Sequence, residues 1–356
     1  MKVLCLIDSI GAGGAQRQLV GLAAMLKDKG YDVLVVYYHN DHFFSSFLNT
    51  KGVSHRYIEG ADNIWKKLRG VLQIVDSFVP DTIISYLGGA NMLACLMRLL
   101  GRKFNLIVSE RSLTQRLSLK TRIKFVLYSY SDYIVPNSYT ESIFICNNFP
   151  FLKKKVVTIT NYVDIERFTT HCKTEKEDNN LRLLCVGSIR KVKNTLRLIS
   201  AVKLVIDSGN NIHVCWFGAP LEKEYYEKCL LKIRELGMQD IFCFYPPIVD
   251  IQNEYLKADL FCLPSLYEGF PNVLCEAMTC GLPVIAGKVS DNAYILGKNN
   301  GVFLFNPYSV EEIAKCIVRF QNLPLEERIQ VGQKNRKNAL KKFSKEYFVE
   351  QYMKLI

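Results

Sequence analysis

Twice along this chain a short apolar run ends in a glycine-containing loop and gives way to helical periodicity. The two stretches are MKVLCLIDSIGAGG at residues 1–14 and LRLLCVGSIRKVKN at residues 181–194. In the first, residues 3–8 read as a strand, and residues 15–29 carry Leu19, Leu22, Ala23 and Leu26 at helical spacing before Gly30 closes the helix. Further apolar runs at 32–38, 82–87, 106–109, 133–135 and 156–160 continue the first series. A second series lies at 183–186, 214–217, 241–245, 260–263, 284–286 and 302–305. Strands that alternate with helices build parallel sheets covered on both faces, so the expectation is α/β architecture in two units. The polar stretch 169–180, TTHCKTEKEDNN, has no apolar period and reads as the linker. From residue 310 the tail reads as helix, broken near Pro324 and near Ser344.

At 356 residues and 49% hydrophobic content the chain can bury two cores of ordinary size. Its 12 cysteines include no Cys-x-x-Cys pair, and several fall inside apolar runs, where a thiol behaves as a small hydrophobe. That usage suits a reducing cytosol, and Met1 leads straight into a strand with no leader pattern. The formal net charge of +12 is uneven. Between Arg98 and Lys124 eight basic residues surround a lone acid, Glu110. Such a run suits an anionic membrane surface, a phosphorylated substrate or nucleic acid, or else a solvated helix face.

The most informative stretch is PSLYEGFPNVLCEAMTCGLPVIAG, residues 264–287. Apolar runs flank it, Pro271 suits the first turn of a helix, and Gly281 with Pro283 stops that helix. The Gly-Phe-Pro turn leaves the backbone N–H groups of Gly269 and Phe270 free to meet an anion or sugar hydroxyls. Glu268 and Glu276, with seven residues between them, present two carboxylates that can accept hydrogen bonds from two polyol groups of one ligand. Near the N-terminus, Gly11 to Gly14 imitates a dinucleotide fingerprint, but Gln16 stands where its third glycine belongs.

With Ser265, Glu268, Gly269, Phe270, Pro271, Asn272, Glu276, Ala277, Gly281 and Pro283 at these spacings, the stretch resembles the signature of glycosyltransferase family 4. The resemblance implies the GT-B fold: two Rossmann-like domains facing across a cleft, with the last helix crossing back to the first domain. Residues 1–170 with the helix 344–356 would form the acceptor side, and residues 171–343 the donor side. It implies a retaining transferase that takes a nucleotide-activated sugar, most often a UDP-sugar, as co-substrate. The acceptor would be a glycan or a lipid-linked glycan of surface polysaccharide assembly. Lys193-Asn194 matches the cationic motif that steadies the leaving diphosphate, whereas Ser188 stands at the usual Arg position and Arg190 lies two residues on. Gly13 and Gly14 match the glycine pair facing the donor. Glu276 would hold the ribose, and Glu268 with the 269–271 turn and Asn272 the donor sugar.

Arg111 occupies a position that is often His, a permanent cation suited to an acceptor phosphate. No Asp-x-Asp motif is present, so neither a metal nor another cofactor is expected. The place of work would be the cytoplasm, peripheral to the inner face of the membrane, with no nucleic-acid partner. Two other readings stay open: an epimerase of UDP-N-acetylhexosamines, and a non-catalytic basic scaffold with this fold.

Overall fold

The structure of the chain, a computed structural model, describes residues 1–168, 180–248, 250–297 and 303–356. They form two compact units, Met1–Tyr162 with Lys345–Ile356, and Val163–Ser344. Of the expected linker all but Asn180 lies outside the described residues, and the division between the units falls before it.

The first unit is a parallel sheet of β1 (Lys2–Leu6), β2 (Asp32–Tyr37), β3 (Ser54–Tyr57), β4 (Thr82–Tyr86), β5 (Asn105–Glu110) and β6 (Tyr133–Pro136), in the order β3-β2-β1-β4-β5-β6. The Val, Ile and Leu runs of the central strands are buried on both faces, as a parallel sheet between helices requires. Alternate residues serve alternate cores. Leu4, Leu34 and Val36 pack with Val71, Leu93 and Phe125; Val3, Cys5 and Val35 pack with Leu19, Leu22, Phe348 and Tyr352. The last two come from the terminal helix Lys345–Met353, which belongs to this unit as the resemblance implied.

Two local readings are corrected. Residues 156–160 make no strand; they run extended beside β6, with Val157 N–H donating to Ile134 O (2.9 Å) and Ile159 N–H to Pro136 O (3.1 Å), and only Val156 forms a bridge. An edge strand, β3, was not anticipated, because its sequence SHRY is polar and never fully buried.

The second unit repeats the plan with β7 (Leu181–Val186), β8 (Ile212–Phe217), β9 (Phe242–Tyr245), β10 (Leu260–Leu263), β11 (Val284–Gly287) and β12 (Leu304–Phe305), ordered β12-β11-β10-β7-β8-β9. All its pairings are parallel. Read from the β9 edge, this is the order of the first unit, the doubly wound arrangement. In each unit the winding reverses beside the first strand, at β1/β4 and at β7/β10. Ligands of such sheets bind outside the carboxyl ends of the strands at that point.

Candidate functional site

At the β7/β10 reversal the loop after β7 meets the loop after β10. Gly187, at φ 152°, starts the first of them, and its N–H donates to Phe217 O (2.9 Å) while its carbonyl accepts from the Trp216 indole (2.8 Å). The neighbouring chain passes so close that a Cβ on Gly218 would lie 1.9 Å from Gly187 O, so only glycine fits there. Asn194, in the left-handed region at φ 60°, locks the loops together: its amide donates to Pro264 O (3.0 Å) and Pro307 O (2.6 Å). Leu266 N–H adds a bond to Val192 O (2.8 Å).

These backbone ties bring two residues 75 positions apart into contact. Lys193 Nζ lies 2.5 Å from Glu268 Oε1, with the side chains only 16% and 13% exposed. The Glu268 N–H in turn donates to Ser290 Oγ (3.0 Å) on the loop after β11. Sequence reasoning named both members of this pair for separate reasons and did not foresee that they pair.

Glu276 sits on the helix Asn272–Thr279 and is 9% exposed. The Tyr255 hydroxyl donates to its Oε2 (3.1 Å) and to Val273 O (3.3 Å). Burial, reinforced by the adjacent Glu276, pushes the Tyr255 phenol well above its ordinary pKa, so it remains a donor that orients the carboxylate. Tyr255 was missed from sequence, since it lies in a six-residue helix without motif character. Pro271 caps the helix rather than opening it. Phe270 turns inward against Phe343, with ring centroids 5.7 Å apart, so any contact from residues 269 and 270 to a ligand falls to their backbone. Nearby, the Ser265 hydroxyl is buried without a partner among the described residues. Arg190 is exposed, and its Nε donates to Ser188 Oγ (2.9 Å), so its guanidinium leans on Ser188. Asn292 Nδ2 donates to Gly287 O (2.9 Å), while its Oδ1 is buried without a partner among the described residues.

In the first unit Gly13 caps the helix Gly14–Asp28 next to the β1 carboxyl end. Arg111 is not a loose cation. Its terminal nitrogens donate to Asn161 Oδ1 (2.9 Å) and Tyr352 Oη (2.8 Å), and its guanidinium stacks 3.8 Å over Tyr86. Tyr86 and Tyr352 share a hydroxyl bond of 2.8 Å, so Arg111 ties the terminal helix to this sheet. Beside it Glu110 accepts from Lys124 Nζ (2.9 Å), Asn91 Nδ2 (3.3 Å) and the Tyr128 hydroxyl. The one-signed basic run is therefore partly neutralised: Lys124 pairs with Glu110, Arg98 with Asp132 and Arg102 with Asp76. Among the described residues no group of three or more His, Cys, Asp or Glu side chains could hold a metal ion.

Residues 166–338 match the family model described as glycosyl transferases group 1. The match spans most of the second unit and includes Lys193, Glu268 and Glu276. Over 348 residues, 94% of either chain, the protein is 26% identical to an uncharacterized glycosyltransferase of Haemophilus influenzae. Over 313 residues, 84% of this chain and 83% of the relative, it is 25% identical to a GalNAc-alpha-(1->4)-GalNAc-alpha-(1->3)-diNAcBac-PP-undecaprenol alpha-1,4-N-acetyl-D-galactosaminyltransferase of Campylobacter jejuni. The fold is that of the Anabaena Alr3699/HepE protein solved in complex with UDP and glucose. The two superpose with a TM-score of 0.84 at 19% identity, covering 99% of this chain and 98% of that one. The chain thus has the GT-B glycosyltransferase fold of two Rossmann-like domains, and its similarities support a glycosyltransferase.

Proposed function

We propose that the chain is a retaining glycosyltransferase of family 4 type that moves a hexose or N-acetylhexosamine from a UDP-sugar to a lipid-linked glycan in surface polysaccharide assembly. The observation that carries this reading is the Lys193–Glu268 pair at the β7/β10 reversal, on a helix entry that also holds Glu276. A diphosphate leaving group gains charge as the glycosidic bond breaks, and a fixed cation placed there stabilises the transition state more than the ground state. Lys193 supplies that cation, and Arg190 adds a second. Glu268, aligned by Lys193 and Ser290, accepts from the donor sugar's hydroxyls. Glu276, aligned by Tyr255, accepts from the ribose. Retention follows from front-face attack, in which the departing phosphate oxygen takes the acceptor's hydroxyl proton. The acceptor is met at the cytoplasmic face of an anionic membrane.

A structural neighbour solved with UDP and glucose supports the donor class, and the Campylobacter relative, named for an undecaprenol-linked glycan, supports the acceptor class. Two measurements test the reading. Glu276→Ala should weaken UDP binding by ~1.5–3 kcal/mol, the worth of hydrogen bonds to a charged group, which is roughly 10- to 100-fold in Kd. Equal calorimetric affinity in wild type and variant would remove Glu276 from the site. Turnover should also persist in EDTA, because Lys193 and Arg190 take the place of a divalent ion. Activity lost to EDTA and restored by Mg²⁺ or Mn²⁺ would refute that part.

A further inference from the structure

The helix Leu119–Leu127 fully buries only Phe125. Leu119, Ile123 and Val126 recur at four- and three-residue spacing along it, and all three face solvent, Leu119 at 75% exposure. At about 100° per residue the three fall on one stripe, with Lys120 on one side and Arg122 on the other. Both flanking cations are exposed. So is Arg116, just upstream, and none of the three has an acidic partner among the described residues. The basic cluster thus divides by role: Arg98, Arg102 and Lys124 are paired within the unit, while Arg116, Lys120 and Arg122 border an apolar stripe. The loop leading into the helix is held in place, since Thr114 donates from both its N–H (2.8 Å) and its hydroxyl (2.6 Å) to the buried Glu141 carboxylate.

A second apolar feature shares this edge of the unit. β3 and β5 belong to one all-parallel sheet, so the segments that leave their carboxyl ends emerge on the same side. The helix after β3, Ile64–Phe78, opens with exposed Ile64 and Trp65. Neighbour contacts bridge the two sites: Lys67 Nζ lies 4.5 Å from the Tyr38 ring centre, a Cβ on Gly89 would lie 3.1 Å from the Tyr38 hydroxyl, and one on Gly88 would lie 3.8 Å from Lys124 Cδ.

We propose that this edge docks on an anionic lipid bilayer, with Leu119, Ile123 and Val126 entering the interface between the free cations and Trp65 as a second anchor. Aliphatic side chains bordered by lysine and arginine match the boundary between acyl chains and anionic headgroups, and tryptophan favours the same layer. A nucleic acid would use the cations and leave the stripe without a partner. No helix among the described residues is long and apolar enough to cross a membrane, so attachment is by this surface and is screened by salt. The inference rests on the reading of the acceptor as lipid-linked, and it places that acceptor's bilayer against the first unit.

The test is co-sedimentation of the full chain with phosphatidylcholine vesicles made with and without phosphatidylglycerol, read together with tryptophan emission. The chain's other tryptophan, Trp216, is 1% exposed, so an emission shift reports Trp65. Expected are binding only to the anionic vesicles, loss at high salt, and a blue shift that Trp65→Phe abolishes. Changing Arg116, Lys120 and Arg122 together to Ser should lower the partition constant by about 100-fold, at roughly fivefold per charge. Leu119→Ser with Ile123→Ser and Val126→Ser should abolish binding. Binding that ignores lipid charge, survives either triple change or leaves Trp65 emission unmoved would overturn the proposal. So would a chain that ignores vesicles and instead forms a dimer dissolved by the apolar triple change. Calorimetric UDP binding by the same variants separates the two readings: it should be unchanged, and failed docking with intact UDP binding refutes the surface and spares the transferase.

Discussion

Lys193→Ala should lower turnover by about 10²–10³-fold, the range for removing one transition-state charge partner. The reason lies in two consequences of the 2.5 Å pair with Glu268. On the proposed reading the leaving diphosphate would lose its fixed cation, and the Glu268 carboxylate, now without Lys193, would repel the same phosphates. A specific non-additivity follows. Glu268→Gln alone should bind UDP at least as tightly as wild type, because Lys193 is released to the phosphates, yet it should transfer sugar poorly. In the Lys193→Ala background, Glu268→Gln should restore part of the lost UDP affinity. Arg190→Ala, at an exposed position whose side chain is held by Ser188, should cost less than Lys193→Ala and appear in kcat rather than KM. Steady-state kinetics with calorimetry checks the set. Lys193→Ala within about twofold of wild-type turnover would put the pair outside the chemistry.

Lys124→Met should destabilise the first unit by ~3–5 kcal/mol, the cost of leaving a buried charge uncompensated. Glu110 is almost wholly buried, and Lys124 is the only cation within salt-bridge reach of it among the described residues. The Tyr128 hydroxyl and the Asn91 amide also bond Glu110, but neither carries charge. Burial pushes the Tyr128 phenol well above its ordinary pKa, and the neighbouring carboxylate adds to the rise, so it stays a neutral donor and offsets none of the charge. Adding Glu110→Gln to Lys124→Met should recover much of the loss, since a neutral amide can still bond Tyr128. Lys120→Ser and Arg122→Ser, exposed and without an acidic partner among the described residues, should stay within ~0.5 kcal/mol of wild type. Urea unfolding distinguishes these cases. A Lys124→Met chain as stable as Lys120→Ser would show that the pair is solvent-relaxed.

The contrast between Lys124 and Lys120 shows where sequence stops being legible. Four residues apart in a run of one sign, they look alike; one is committed to a carboxylate 14 residues away and the other to solvent. The partner of Lys124 was visible as the lone acid, but only the helix phase that turns Phe125 and Lys124 inward decides the pairing. The strands of both sheets were readable because buried parallel strands are apolar throughout, and the helix breaks near Pro324 and Ser344 were readable from composition. The polar edge strand β3 was not, because it has no apolar signal to show. At the candidate site, Glu268 and Glu276 were nameable from their spacing and Lys193 from the family resemblance. Tyr255 and Ser290, which aim the carboxylate and its loop, come from other strands' connections and carry no local mark. Arg111 was legible as a cation but not as a tether, since Tyr352 lies 241 residues away.

The central claim is that the ligand site of the second unit activates a sugar nucleotide, and hydrolysis of a panel of radiolabelled nucleotide sugars in the absence of acceptor tests it most directly. The account predicts slow release of nucleoside diphosphate from one UDP-sugar, with the freed sugar retaining its anomeric configuration. That release should continue in EDTA and fall at least tenfold in Lys193→Ala and Glu276→Ala. Folded wild-type protein that hydrolyses no nucleotide sugar of the panel, or whose activity ignores both substitutions, would contradict it.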